Sequence, residues 1–466
     1  MTLFSHIEIG RSALRSQQKG MEVSGQNVAN ANTEGYTRQR ADMSSRMPGV
    51  APNVDFAPGQ GVEVSEVKRV RSEFYHEQMM KTGSQRSYWE TRQEAFSGAE
   101  AIFKEPDDMG LGEYMGEFFD LWNELSSNPE SEEIRASLRE TTKTFTSAVQ
   151  DSYSRLEDLK VDLQEEADIK MEQFNSTLDD LAQINEELQL IDNLGDRSNE
   201  LLDKRDQTLE ELSEMMDISV HEREGGVVDV FASGEMAVQG DHAFHFDVNE
   251  PLVDEEGELK FYNYRGEEVT PRQGTLRGLQ EATNEILPNL QDEINDIAYT
   301  LSEEINKLHK DGYGLNGEAG NPFFAEMDPE DDIALAHQFE INPDIAEDTD
   351  LIAASTTEGD PGNGDNALNI QRVRDEDIMN GQATVEDHFR GVISSLGVEA
   401  QESQRMKDSL EDTENELQRQ HDSIADVDID EEMTKMIEFQ HAWSAASRFL
   451  SYIDGMMETL FVELGR

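Results

Sequence analysis

The stretch GYGLNG, Gly312 to Gly317, has the G-x-G-x-x-G spacing of a phosphate cradle. In a dinucleotide site such glycines let the backbone approach a pyrophosphate, with a strand leading in and a helix leading out. Here the helical stretch LSEEINKLHKDG precedes it and no strand–helix–strand unit surrounds it, so it reads as a helix end running into a turn. His242 and His245 are the closest non-adjacent pair of the ten histidines, and on a strand they would face opposite ways, which a shared metal cannot use. The loop GDPGNGDN, 359–366, has the composition of a calcium loop without its D-x-[DN]-x-[DN]-G spacing. With 101 acids in the chain, paired carboxylates arise anywhere by chance and mark nothing. There is no H-E-x-x-H, G-x-S-x-G or P-loop, and no cysteine to supply a thiolate or a disulfide. The expectation is therefore a protein that is not an enzyme, with no catalytic, metal or cofactor residues.

Charge is the stronger signal. The formal net charge is −63 and the pI about 4.2, which argues against nucleic acid and anionic membrane as partners. The first hundred residues balance, with twelve acids against twelve bases, and residues 433–466 hold four acids against three bases. The stretch between them therefore carries −62 of the charge. An acidic middle with scarce lysine suits a salty habitat, where screening is strong. Near-neutral ends suit surfaces that meet other copies of the chain. No stretch reaches the roughly 18 apolar residues of a membrane span, and MTLFSHIEIGRSALRSQQKG lacks the apolar core of a secretory signal.

Residues of such an assembly surface need helices to present them. Ile7, Leu14, Met21 and Val28 recur every seven residues and predict a helix over about 3–30. It should stop at NANTEGY, where Gly35 can take positive φ. Met436, Trp443, Leu450 and Met457, with Phe439, Ile453 and Leu460, form an a/d seam along a terminal helix, which needs partners. Similar periodicity predicts helices over about 131–192, 196–216, 276–310 and 384–425, and alternation with turn residues predicts strands over 218–274. Pro48, Pro52, Pro58 and GVEVSEVKRV make 41–70 extended loop and short strand.

SALRSQQKGMEVSGQNVANANTEGYTRQR, 12–40, resembles the N-terminal signature of bacterial flagellar rod, hook and hook-associated proteins. Its core is the turn Ala29-Asn30-Ala31-Asn32-Thr33-Glu34-Gly35-Tyr36. The GYTRQ form is similar to the first hook-associated protein family, at the hook–filament junction. DEEMTKMIEFQHAWSAASRFLSYIDGMMETL, 430–460, resembles that family's ending, with Trp443 for a usual Tyr, Ser447 for Ala and Gly455 for an acid. Segments 201–220, 277–296, 305–324 and 364–373 resemble family landmarks in the right order, with a middle short for the family.

The resemblance implies an α+β chain, mainly α: a long helical bundle or coiled coil with paired terminal helices and an inserted β-rich domain. Residues 1–60 with 428–466 would be the assembly core. Residues 61–217 with 275–427 would be a helical body, loop- and β-rich near 311–372, and 218–274 a small β domain. It further implies self-assembly into a ring, the hook protein on one side, the next hook-associated protein on the other, and an export chaperone at the last helix. Export through the flagellar channel would place the chain outside the cell. The assembly residues would be Ile7, Leu14, Met21, Val28, Asn30, Asn32, Thr33, Gly35, Tyr36 and Arg38, with Met436, Phe439, Trp443, Leu450, Ile453, Met457 and Leu460. Arg38 and Arg40 would be free to meet acids on a neighbouring subunit. A rod or hook subunit, and a secreted coiled-coil binder or adhesin, are the alternatives.

Overall fold

The structure, a computed structural model, describes residues 3–33, 35–46, 60–103, 110–193, 198–247, 252–254, 257–331, 333–379 and 381–464. Helix α1 (Leu3–Asn30) leads into the antiparallel hairpin of β1 (Gln39–Ser45) and β2 (Val62–Arg69). Then come α2 (Glu73–Phe103), α3 (Leu111–Ser127), the 62-residue α4 (Glu132–Asn193) and α5 (Asn199–Met215). Strands β3 (Ile218–Glu222), β4 (Val228–Ala232), β5 (Glu235–Gln239) and β6 (His242–Ala243) form an antiparallel meander. Strands β7 (Phe261–Tyr262) and β8 (Glu268–Val269) make a separate ribbon. Helices α6 (Thr275–Glu281) and α7 (Leu287–Lys310) are joined by a wide π turn, Ala282–Ile286, where the Leu287 N–H reaches back to Ala282. Pro288 follows at once and has no N–H to give to the normal helical ladder. Short helices α8 (Leu335–Gln338), α9 (Pro343–Glu347) and α10 (Asp365–Arg372) precede the long α11 (Val385–Ala425) and α12 (Ile429–Leu464). The chain is α+β and mainly α, as expected.

Helix α3 buries Leu111, Met115, Phe118, Trp122 and Leu125 at steps of four and three, whereas α2 carries no clear heptad. In α2 the reason is visible: apart from Phe96 and Phe103, its buried face is Ser84, Ser87, Thr91, Ala95 and Ala99, at helical spacing but small and partly polar.

The chain divides into two compact units. The terminal unit holds residues 1–83, 175–244 and 410–466; the inner unit holds 84–174 and 245–409. Strands β1–β6 thus belong to the terminal unit and β7–β8 to the inner one.

The inner unit is built on aromatic rings. Phe118, Phe119, Trp122, Phe145, Phe323, Phe324 and Phe339 are all fully buried. Trp122 meets Phe323 edge-on at 5.1 Å, and Phe324 lies 4.6 Å from Phe339. These rings draw the loops of 311–372 onto α3, α4 and α7. Polar groups fasten the same loops. The buried Arg135 donates to the carbonyls of Pro129 at 2.8 Å and Ile352 at 2.8 Å. His309 Nδ1 lies 2.5 Å from the Asn321 carbonyl, and His309 Nε2 accepts from the Ala353 N–H at 2.8 Å. An imidazole that must both donate and accept has to be neutral, and complete burial lowers its pKa to about 4. GYGLNG follows as a turn, with the Gly317 N–H on the Gly314 carbonyl at 3.0 Å and Gly317 at φ 78°.

Candidate assembly interface

Within the terminal unit α1 packs along α12, and the pairing is antiparallel. Leu450 lies over Gly10, Phe439 over Gly20, and Glu432 reaches Asn27. A Cβ at Gly10 would stand 2.7 Å from the Leu450 side chain, and one at Gly20 would stand 2.9 Å from the Phe439 ring. Glycine inside a helix costs about 1 kcal/mol against alanine, so its use here has a packing reason: it lets the large α12 residues rest on the α1 backbone. Those two glycines are the signal that sequence reading overlooked. The apolar residues Ile7, Leu14, Met21 and Val28 are half-buried.

On α12, Met436, Phe439, Leu450 and Met457 are half-buried and Ile453 is buried. Trp443 is exposed, and the Leu460 side chain lies outside the described residues. More apolar surface lies open than the seam accounts for. Met433, Ile437, Phe449, Tyr452 and Met456 are also exposed, Tyr452 by 69%. The heptad does not mark these residues in the sequence, because they follow no single seven-residue spacing.

The turn after α1 is a polar clasp. Gly35 takes φ +71° and turns the chain. Asn27, buried, donates to the Gln39 carbonyl at 2.8 Å and to Glu432 Oε2 at 3.1 Å, and accepts from the Gln39 N–H and the Tyr36 hydroxyl. Arg38 donates from Nε to Glu432 at 3.0 Å and from Nη2 to Glu431 at 2.7 Å, and its N–H bonds the Ala425 carbonyl. Burial works against the Glu432 charge, but Asn27, Ser24 and Lys435 hold its pKa below the usual carboxylate value. Burial pushes the Tyr36 hydroxyl up to about 12, with Asp203, Glu200 and Glu432 adding to it. Asn30 is half-buried and accepts from Thr33 Oγ1, while Asn32 and Thr33 are exposed.

One expectation changes here. Arg38 and Arg40 are not free to meet a neighbour: Arg38 ties the turn to its own α12, and Arg40 pairs with Asp42 on the same hairpin at 3.0 Å. The acids come from sequence positions nearly four hundred residues away in the first case, which no local pattern reveals.

A second knot fastens the hairpin to α5. Arg69 donates to Asp203 at 2.8 Å and Asp206 at 2.7 Å, Arg71 and Arg205 also meet Asp206, and the Thr37 N–H bonds Asp203. Burial alone would raise the Asp206 carboxyl, yet Arg205, Arg69 and Arg71 outweigh it and hold it at about 2. Among the described residues no group of His, Asp or Glu is arranged to hold a metal ion, and no helix is long and apolar enough to cross a membrane.

Comparison with known proteins gives this geometry a setting. Residues 96–324 match the family described as flagellar hook-associated protein FlgK helical domain. Residues 7–37 match flagella basal body rod protein, and 418–461 match the flagellar basal body rod FlgEFG protein C-terminal family. Flagellar hook-associated protein 1 of Bacillus subtilis is 28% identical, the match covering 99% of this chain and 98% of that one. The protein of the same name from Escherichia coli is 25% identical, over 69% of this chain and 60% of its own length. The flagellar hook junction protein FlgK from Burkholderia pseudomallei shares the fold, with a TM-score of 0.65 at 12% identity over 74% of this chain and all of that one. The helical body and the two terminal segments thus point the same way, and these matches support the flagellar hook-associated protein 1 family for this chain.

Proposed function

We propose that this chain is the structural joint between flagellar hook and filament, working by packing rather than catalysis. The observation that carries the reading is the terminal unit: its two ends are clasped together, yet α12 leaves Met433, Ile437, Trp443, Phe449, Tyr452 and Met456 open to solvent. Six large apolar side chains left open along one helix are surface that neighbouring copies can cover. In a ring of subunits these residues, with the expected interface residues on α1 and α12, would be covered by neighbouring copies. Hook protein would lie on one side and the next hook-associated protein on the other. Before assembly an export chaperone would shield α12 during passage through the flagellar channel to the outside of the cell.

Cells lacking the gene provide the test. Complete hooks without filaments, with flagellin shed into the medium, are the expected phenotype. Missing hooks would move the protein to the rod or hook, and normal flagella would favour a secreted coiled-coil binder. Leu450→Asp sharpens the test, since it would set a charge against the α1 backbone at Gly10, where the Leu450 side chain now packs. It should abolish incorporation, and normal incorporation would overturn the packing mechanism.

A further inference from the structure

We propose that a second copy of this chain docks its acidic cleft on a basic row of α1, making a head-to-tail contact between terminal units. Such a contact presupposes the self-assembly proposed above and names the surfaces that make it. Arg11, Arg15 and Lys19 follow at i, i+4 and i+8, on one face of α1. With Arg46 and Val62 they line a groove of about 240 Å³. Arg11 and Lys19 are half exposed and meet Glu8 and Glu22 only at 3.6 Å, while Arg46 pairs with Glu63 at 2.9 Å. Arg15 is exposed and makes no ion pair among the described residues. In a protein of net charge −63, four cations against the three acids Glu8, Glu22 and Glu63 are a local surplus.

The matching surface belongs to the same unit. A cleft of about 730 Å³ opens between the turn after α1, the helix α5 and the end of α11. Its walls carry Glu210, Glu211, Glu214, Asp422 and Asp426, and its single arginine, Arg71, is already committed to Asp206. The exposed Glu211 and Asp426 stand at its rim. Steps of four residues set the α1 cations about 6 Å apart, a ladder that a row of carboxylates can follow. The acidity of the rest of the chain repels other approaches, so attraction is concentrated in this one orientation. Because the two patches differ, their contact is heterologous, and its repetition gives a ring or a helix where a self-complementary patch would stop at a dimer.

Charge exchange tests it in the full-length protein. The variant Arg11→Glu with Arg15→Glu, and the variant Glu211→Arg with Asp422→Arg, should each fold with an unchanged melting temperature. Each should lower the amount recovered with isolated hooks and filaments about tenfold, because like charges then face each other. The four substitutions together should restore recovery to within about twofold of the parent. The chain has no cysteine, so Arg15→Cys with Glu211→Cys should give a disulfide-linked ladder of copies in assembled flagella. Recovery at the parent level in either patch variant would overturn the contact, and so would a combined variant no better than its parts. The first result, with only the α1 patch sensitive, would make another acidic protein the partner. In both cases hooks without filaments in the deletion strain would leave the junction reading standing; normal filaments there would remove both.

Discussion

The two units solve opposite problems with the same alphabet. At the centre of the inner unit, seven aromatic side chains are fully buried, and Arg135 and His309 satisfy the loop backbone around them. On α1 and α12 of the terminal unit, Val23 and Ile453 are the only buried apolar side chains among the described residues. There the contact depends on glycines beneath Leu450 and Phe439, and on the Asn27, Arg38 and Glu432 clasp. An aromatic core is complete in one chain and gains nothing from a neighbour. A small-residue seam with polar ends fixes geometry at modest stability and leaves apolar surface for partners.

The contrast can be broken most sharply at Trp122. Its replacement by alanine should cost about 3–5 kcal/mol, as large aromatic truncations in a close-packed core do, read from urea unfolding of the inner unit. Next comes acid. The folded pKa of His309, about 4, lies below its ordinary 6.5, so the folded state binds fewer protons between those values. The stability it protects is full above pH 6.5 and is lost as pH falls from 6.5 towards 4, up to roughly 3 kcal/mol. Unfolding titrations of the parent and of His309→Gln should differ in slope across that window, and equal slopes would refute the neutral-imidazole assignment.

In the terminal unit Asn27→Ala should cost about 1–3 kcal/mol, because it strips partners from Glu432, Tyr36 and the Gln39 backbone. Hydrogen exchange of α1 should rise while the inner unit stays protected. The smallest effect on stability is expected on the open face of α12. Ile437→Ser with Tyr452→Ser should shift stability by no more than about 0.5 kcal/mol per residue, yet recovery with isolated flagella should collapse. Unchanged recovery would mean that this face is not the covered one.

Much of the framework was legible before folding. Periods of seven located α1 to within a residue or two and marked a helix at the C-terminal end where α12 lies, and the 3–4 stepping of Phe145, Val149, Leu156 and Leu163 located α4. The turn at Gly35 was legible from residue chemistry alone, because few residues other than glycine tolerate φ +71°. Helix α2 escaped because most of its buried face is serine, threonine and alanine.

By itself, then, the sequence determined what is local: which segments are helical, where the chain turns, how charge is distributed, and the family signatures at both ends. Tertiary structure alone decided which residues meet. Arg38 finds Glu432, Gly20 receives Phe439, and Arg69 joins Asp203 and Asp206 across gaps of more than a hundred residues. The physical reason is one of range. Helical period and turn conformation are set by neighbours within a few positions, whereas a buried ion pair or a close helix crossing exists only once distant backbones have been brought to the same place.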